Sequence, residues 1–217
     1  PVAHVEAGLR SFNRRMPEEI NRILTDQIST LLFCPTDTAV DHLKSEGIQH
    51  GVYQIGDVMR DAFEFNRRLA QTDSQVLARL QLSNKQYALV TVHRAESTDD
   101  PRVFKSIVDA LLKLCDQGQK LVFPVHPRTA RILEEQLPQP HPSNLVLVDP
   151  LPYLDMLALE SNATMILTDS GGVQKEASWV GVPCITLRNE TEWVETVQAG
   201  HNFLAGTTTE NILRGAH

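Results

Sequence analysis

The feature that most constrains the fold is the alternation of short, continuous apolar runs with longer amphipathic stretches. Several of these runs lack the polar–apolar alternation of a half-exposed strand, which indicates parallel strands covered on both faces. Helix-length segments separate the runs, as in βαβ units, so we predict doubly wound parallel sheets. The predicted strands are Val2–Val5, Leu31–Cys34, Val52–Ile55, Tyr87–Val92, Lys120–Val125, Leu145–Val148, Met165–Thr168, Cys184–Leu187 and Phe203–Ala205.

The helical pattern also divides the chain into parts. Val58–Leu82 is mostly helical, polar and charged, and it contains no predicted strand. We therefore predict the C-terminal portion of one Rossmann-like lobe at 1–57, a helical linker at 58–82, and a second Rossmann-like lobe at 83–217. Because the chain begins without Met inside a predicted strand, we expect the first lobe to be incomplete. The other predicted helices are Pro17–Ser29, Thr36–Ser45, Val103–Asp116, Pro127–Gln136, Tyr153–Ser161 and Gly171–Val180.

Composition excludes several classes of function. The formal net charge of −7 argues against a nucleic-acid-binding surface, and no apolar run approaches the roughly 18–20 residues that cross a membrane. No secretory leader is recognisable. The three cysteines form no CxxC pair, which favours buried, reduced thiols and a cytoplasmic protein. The sequence lacks HExxH, GxGxxG and GxxxxGK[ST] patterns, so we predict no metal site and no cofactor.

A phosphate site is predicted where Met165–Thr168 gives way to a helix. Ser170 suits the N-cap, and Gly171 and Gly172 would let an anion approach the first free backbone N–H groups at the positive end of the helix dipole. Glu176 lies further along the same helix and could reach a ribose hydroxyl. The same spacing also fits a capped helix with a tight turn and a solvated glutamate.

The first part of the chain carries candidate carboxylates. Glu6 and Arg10 follow the strand Val2–Val5, at the end of a parallel strand where ligands bind. Glu18 comes directly after Pro17, in the first turn of a predicted helix. Acidic residues there also stabilise the helix dipole, so Glu18 fits a purely structural role as well.

Two histidines come directly after neighbouring strands, and each lies within two residues of an arginine. His93 and Arg94 follow Tyr87–Val92, and His126 follows Lys120–Val125 with Arg128 nearby. A single histidine in such a position is often only a hydrogen-bonded polar group, but a pair at equivalent points indicates anion binding or proton transfer. Together the motifs predict anion donors on one lobe and carboxylates on the other, which suits a phosphorylated sugar that undergoes proton transfer.

The motifs as a set resemble those of the non-hydrolysing UDP-N-acetylglucosamine 2-epimerases, in the same order and over nearly the whole chain. The resemblance implies an α/β, GT-B-like fold of two Rossmann-like lobes with parallel sheets, in which the C-terminal lobe holds UDP. The matching segments are HVEAGLRS (His4–Ser11), PEEINR (Pro17–Arg22), HRAE (His93–Glu96), HP (His126-Pro127), TDSGGVQKEA (Thr168–Ala177) and LRNETEW (Leu187–Trp193).

This resemblance implies an isomerase that interconverts UDP-GlcNAc and UDP-ManNAc through 2-acetamidoglucal. It also implies a homodimer at full length, a role in polysaccharide biosynthesis, and no activity of the 217-residue chain alone. A GT-B glycosyltransferase, a non-catalytic sensor and an epimerase of a UDP-2,3-diacetamido uronic acid are the alternatives. The implied catalytic residues are Glu6, Glu18 and His93, and the implied substrate-binding residues are Arg10, Arg94, His126, Ser170, Gly171, Gly172 and Glu176.

Overall fold

The computed structural model describes every residue from Pro1 to His217, and the chain divides into two compact units at residues 1–64 and 65–217. The boundary falls inside the predicted linker, within helix α3 (Val58–Asp73). All sheet pairings are parallel. No helix combines the length and the hydropathy that crossing a membrane requires.

The unit at 1–64 contains a three-stranded sheet in the order β1-β2-β3. Its helices are the crossovers between successive strands, and each begins where the sequence supplies a start signal. Pro17 occupies the first turn of α1, and the Thr36 side chain accepts the Ala39 N–H at the start of α2. The elements are β1 (Ala3–Val5), α1 (Pro17–Ile28), β2 (Leu31–Cys34), α2 (Asp37–Ser45) and β3 (Val52–Gln54).

The unit at 65–217 contains a six-stranded sheet in the order β6-β5-β4-β7-β8-β9. The strand order changes direction between β4 and β7, and ligands of such sheets bind at the carboxyl ends of the strands near this switch. The elements are α4 (Val76–Arg79), β4 (Ala88–Thr91), α5 (Ala95–Thr98), α6 (Pro101–Asp116), β5 (Leu121–Pro124), α7 (Pro127–Gln136), β6 (Leu145–Val148), α8 (Tyr153–Asn162), β7 (Met165–Thr168), α9 (Gly171–Val180), β8 (Cys184–Thr186), α10 (Val194–Gln198), β9 (Asn202–Leu204) and α11 (Thr209–Gly215).

The predicted strands are all present, with bounds that agree within one residue at each end. The predicted helix at Val103 starts two residues earlier, because Asp100 caps the helix through the Arg102 N–H. Three short helices, α5, α10 and α11, were not predicted, since segments of four to seven residues are too short to show a helical period.

The cysteines are unpaired and buried, as predicted. Burial raises the pKa of Cys34 and Cys115 to about 11 and that of Cys184 to about 12. Each thiol is therefore protonated at neutral pH and packs as a small apolar group.

Candidate functional site

The loops that follow β4, β5 and β7 carry most of the predicted site residues. Because β4 pairs with both β5 and β7, these loops meet at one edge of the sheet. His93 and Arg94 follow β4, His126 follows β5, and Ser170 follows β7. The structure therefore brings together residues that the sequence places in three separate segments.

Asp169 joins the loop after β4 to the start of α9. Its side chain is fully buried, and one carboxylate oxygen accepts the backbone N–H groups of His93 at 3.0 Å and Arg94 at 2.9 Å. The Nδ1 atom of His93 lies 3.5 Å from the other oxygen. Asp169 was not among the predicted site residues, although a carboxylate between a continuous apolar strand and a helix N-cap is a recognisable signal.

The N-terminus of α9 presents free backbone N–H groups in a capped turn. The Ser170 hydroxyl accepts the Val173 N–H at 3.5 Å, and the Thr168 hydroxyl accepts the Ser170 N–H at 2.9 Å. A Cβ atom added at Gly172 would meet only the Ser170 hydroxyl, at 3.8 Å. There is therefore space beside Gly172 for an anion to approach the helix N-terminus.

Gly171 is needed for a different reason. A Cβ atom there would lie 2.8 Å from Oε1 of Glu192 and 3.0 Å from Nε1 of Trp193. Both residues are buried and follow β8, so this glycine lets the segment after β8 pack on the helix start. The sequence pattern alone does not distinguish the two glycines.

Substituting the two glycines with alanine should separate their roles. Gly171→Ala is expected to lower the free energy of unfolding by about 1–3 kcal/mol, because Trp193 must move in a packed environment. Gly172→Ala should leave stability unchanged or raise it by up to about 1 kcal/mol, but weaken binding of the UDP that the sequence motifs predict, because the methyl group would occupy the approach of the anion. Urea unfolding and calorimetric titration with UDP measure these effects. If the two variants had the same stability and the same affinity for UDP, the separate roles of Gly171 and Gly172 would be wrong.

Arg94 is the cation best placed to bind an anion at this edge. Its Nη1 atom is buried without a hydrogen-bond partner, and its Nη2 atom lies 3.9 Å from Oε1 of Glu192, too far for a hydrogen bond. Glu192 makes its closer ion pair with Arg188, at 3.1 Å. An anionic ligand would therefore supply an acceptor that Arg94 lacks.

The two histidines border a small apolar cavity. Their ring centroids are 5.8 Å apart, and Nδ1 of His126 accepts the Arg128 N–H at 3.1 Å, which leaves Nε2–H of His126 as a donor. The cavity measures about 190 Å³, and its apolar walls suit a planar base. Its lining residues are Thr91, Val92, His93, Pro124, His126, Pro150, Leu151, Met156 and Val173.

A larger cavity of about 640 Å³ lies beside β6 and α7. None of the predicted site residues lines it. The candidate site therefore lies where the polar groups converge, beside the smaller cavity, and not at the larger one.

Glu176 lies on α9, and its Oε1 accepts a hydrogen bond of 2.6 Å from the Tyr153 hydroxyl. Burial raises the pKa of Glu176, although Tyr153 and Lys175 oppose the shift. Glu160 is 1% exposed, and its Oε2 has no hydrogen-bond partner. Burial, and then the charge of Glu176, raise the pKa of Glu160 well above its usual range. Tyr153 and Glu160 were not predicted, because a tyrosine and a glutamate within a predicted helix carry no distinct sequence signal.

Glu160→Gln should make stability less sensitive to pH. The folded state binds this proton more tightly than the unfolded state, so the stability due to Glu160 is fully present below the unfolded pKa of about 4.3. It is lost as the pH rises through the raised folded pKa. The stability of the variant relative to the wild type should therefore increase with pH.

Urea unfolding between about pH 5 and pH 8 tests this linkage. Glu134→Gln, at an exposed carboxylate of the same unit, is the matched control and should show no such trend. A difference between the Glu160 variant and the wild type that is constant with pH would contradict the prediction.

The remaining predicted residues lie in the unit at 1–64. Glu6 is half-buried and has a left-handed backbone, with φ = 68°. Glu18 is exposed in the first turn of α1, a position that also suits a helix-dipole role. Arg10 is buried and makes ion pairs of 2.7 Å with both Asp26 and Glu46. Its guanidinium is thus occupied within the protein, which disfavours the predicted contact with substrate.

Comparison with known proteins is consistent with this geometry. A family model described as UDP-N-acetylglucosamine 2-epimerase matches residues 1–217. A UDP-N-acetylglucosamine 2-epimerase homolog of Methanococcus maripaludis is 51% identical over 98% of this chain and 60% of its own length. A UDP-2,3-diacetamido-2,3-dideoxy-D-glucuronate 2-epimerase of Pseudomonas aeruginosa is 47% identical over 100% of this chain and 60% of its own length.

Solved structures have the same fold. The crystal structure of the UDP-GlcNAc 2-epimerase of Methanocaldococcus jannaschii, in complex with UDP-GlcNAc and UDP, matches 99% of this chain and 61% of that chain, with a TM-score of 0.91 and 43% identity. This likeness confirms the expected GT-B-like α/β fold class with parallel sheets. The chain spans about 60% of the length of the curated relatives it matches.

Proposed function

The chain belongs to the UDP-N-acetylglucosamine 2-epimerase family, and we propose from this that the protein is an isomerase that interconverts UDP-GlcNAc and UDP-ManNAc. The observation that carries the proposal is the link that Asp169 makes between the His93-Arg94 turn and the N-terminus of α9. This link fixes two kinds of anion donor at one edge of the sheet, as a diphosphate requires.

In the proposed binding mode the unit at 65–217 holds UDP. The diphosphate lies at the N-terminus of α9, where Ser170, Gly171 and Gly172 supply the turn, and the unpartnered nitrogen of Arg94 adds a positive charge. Glu176 accepts hydrogen bonds from the ribose hydroxyls, and Tyr153 holds its carboxyl in place. The base occupies the apolar cavity beside His126.

The proposed reaction first eliminates UDP. A base removes the proton from C2, the electrons of the C2–H bond form the C1=C2 double bond, and the C1–O bond breaks with its electrons going to UDP. Negative charge grows on the departing diphosphate, so fixed donors at that position lower the barrier. The candidate donors are the helix N-terminus, Arg94 and His93.

Re-addition then reverses these steps with the opposite stereochemistry at C2. UDP attacks C1 of 2-acetamidoglucal, and a proton reaches the other face of C2. One side chain cannot easily serve both faces, so two proton-transfer groups are needed. We assign Glu6 and Glu18 to this pair, one residue to each face of C2. The assignment holds in either order.

Deuterium exchange tests the proposed reaction. The full-length protein is incubated with UDP-GlcNAc in D2O, and the nucleotide sugars are analysed by mass spectrometry and NMR. Deuterium at C2 together with the manno epimer is the expected result. Release or transfer of the sugar without exchange at C2 would reject the epimerase and favour a GT-B glycosyltransferase. UDP binding without either reaction would favour a sensor.

A UDP-2,3-diacetamido uronic acid is the second candidate substrate. The 47% identity to the Pseudomonas aeruginosa enzyme of that name favours it. Comparing kcat/KM for the two UDP-sugars in the same assay decides between them, since a tenfold preference corresponds to about 1.4 kcal/mol of transition-state binding.

The proposal extends to the setting of the enzyme. We infer a homodimer that works in the cytoplasm and supplies a nucleotide sugar for polysaccharide biosynthesis, and no activity of residues 1–217 alone. Light scattering of the full-length protein tests the dimer, and turnover by the 217-residue chain would reject the last inference.

A further inference from the structure

Helix α1 carries two buried carboxylates that the proposed reaction does not use. Glu19 and Asp26 are each 1% exposed, and they lie two helical turns apart, which places them on the same face of the helix. Buried carboxylates are retained only where they are paired or hydrogen-bonded. Apart from Arg22, which lies on the same helix and pairs with Glu19, the partners of both side chains lie in one segment, residues 4–12, which contains Glu6.

Asp26 holds the first half of this segment. One oxygen lies 2.6 Å from Nδ1 of His4. The other oxygen accepts the Gly8 N–H at 3.2 Å and lies 2.7 Å from Nη1 of Arg10. Asp26 thus contacts residues on both sides of Glu6.

Glu19 holds the second half. Its carboxylate accepts the backbone N–H groups of Ser11 and Phe12, each at 2.9 Å, and the Ser11 hydroxyl at 3.1 Å. Arg22 pairs with it at 2.7 Å. Burial by itself would raise the pKa of Glu19, but the hydrogen bonds from Ser11, Arg22 and Phe12 outweigh it and keep the pKa low. Glu19 is therefore a charged acceptor at neutral pH.

Residues 4–12 include backbone conformations that residues other than glycine rarely adopt. Glu6 and Phe12 have φ values of 68° and 59°, which are unfavourable for residues other than glycine and persist only where surrounding contacts impose them. Gly8, with φ = 79°, packs so closely on α2 that an added Cβ would lie 2.2 Å from the Ala39 carbonyl oxygen. His42 also donates to the Gly8 carbonyl, at 3.0 Å.

We propose that Asp26 and Glu19 are positioning residues for proton transfer at C2, because together they impose the left-handed backbone from which Glu6 projects. This inference rests on the proposed epimerase function. It assigns the two carboxylates no contact with substrate, so they act on the reaction only through Glu6.

A double-mutant cycle in the full-length enzyme tests the inference. Asp26→Asn and Glu19→Gln are each expected to lower kcat for C2 exchange by about 10- to 100-fold, the effect of a misplaced catalytic group. KM and the Kd for UDP should change by less than about threefold, since the proposed UDP site lies in the other unit. In a Glu6→Gln background the same substitutions should lower kcat by less than about twofold, because the group on which they act is already lost.

The matched control is Asp41→Asn, which removes an exposed carboxylate from the same unit and should leave kcat unchanged in both backgrounds. Equal losses of kcat with and without Glu6 would overturn the positioning role, as would a loss of UDP affinity that parallels the loss of kcat. If one variant fails to fold, the other completes the cycle, and if neither folds the two carboxylates serve the fold and the proposal is rejected. If the wild-type enzyme shows no exchange at C2, the proposed function is rejected. If it does exchange, but the substitutions lower kcat equally with and without Glu6, only the positioning role is rejected.

Discussion

Glu6→Gln is expected to lower kcat for epimerisation by about 10²- to 10⁴-fold, the usual contribution of a general acid or base. The amide keeps the size of the side chain but cannot accept the C2 proton. The left-handed backbone at residue 6 does not disfavour Gln more than Glu, so the fold should be retained. The Kd for UDP should change little, because the proposed nucleotide contacts lie in the unit at 65–217.

Deuterium incorporation at C2 and UDP titration, made on the same preparation, check this prediction. Asp41→Asn, which also removes one negative charge from the unit at 1–64, controls for a general electrostatic effect. A Glu6→Gln enzyme that retains more than about a tenth of wild-type turnover would remove Glu6 from the proton-transfer pair, because that loss is below the range for general acid–base catalysis.

Asp169→Ala is expected to destabilise the protein by about 2–5 kcal/mol and to abolish measurable UDP binding. The substitution leaves the part-buried backbone N–H groups of His93 and Arg94 without their acceptor, and a donor left unsatisfied away from water costs about 1–3 kcal/mol. The turn that presents both residues should also lose its fixed geometry. Arg94 and the N-terminus of α9 would then no longer act together on the diphosphate.

Urea unfolding and calorimetric titration with UDP measure the two effects. Asp116→Ala, at the exposed end of α6, is the control and should change neither quantity appreciably. Asp169→Asn should fall between the wild type and Asp169→Ala, because its amide offers one acceptor oxygen where the carboxylate offers two. Unchanged UDP affinity in Asp169→Ala would show that the turn is not part of the site.

The sequence predicts the local elements well because their signals are local. The continuous apolar runs at Leu145–Val148 and Met165–Thr168 match β6 and β7 without adjustment, and the Ser-Gly-Gly turn marks the first residue of α9. The ordered set of motifs also identifies the family that the comparisons show. The predicted roles of Glu6, Glu18 and His93 stay predictions.

Only the tertiary structure decides which side chains are available to a ligand. Arg10 looks like a ligand contact in sequence, but its guanidinium is paired with Asp26 and Glu46. Gly171 and Gly172 look equivalent, but only Gly171 is pressed against Glu192 and Trp193.

The physical reason is the separation in sequence between the partners. Asp169 and His93 lie 76 positions apart, and Arg10 and Glu46 lie 36 apart. Burial and hydrogen bonding between such residues depend on how the sheet and its helices pack. By itself the sequence determines where strands, helices and turns begin, and which chemical groups follow each strand. The packing then decides which of those groups are occupied within the protein and which are left to bind a nucleotide sugar.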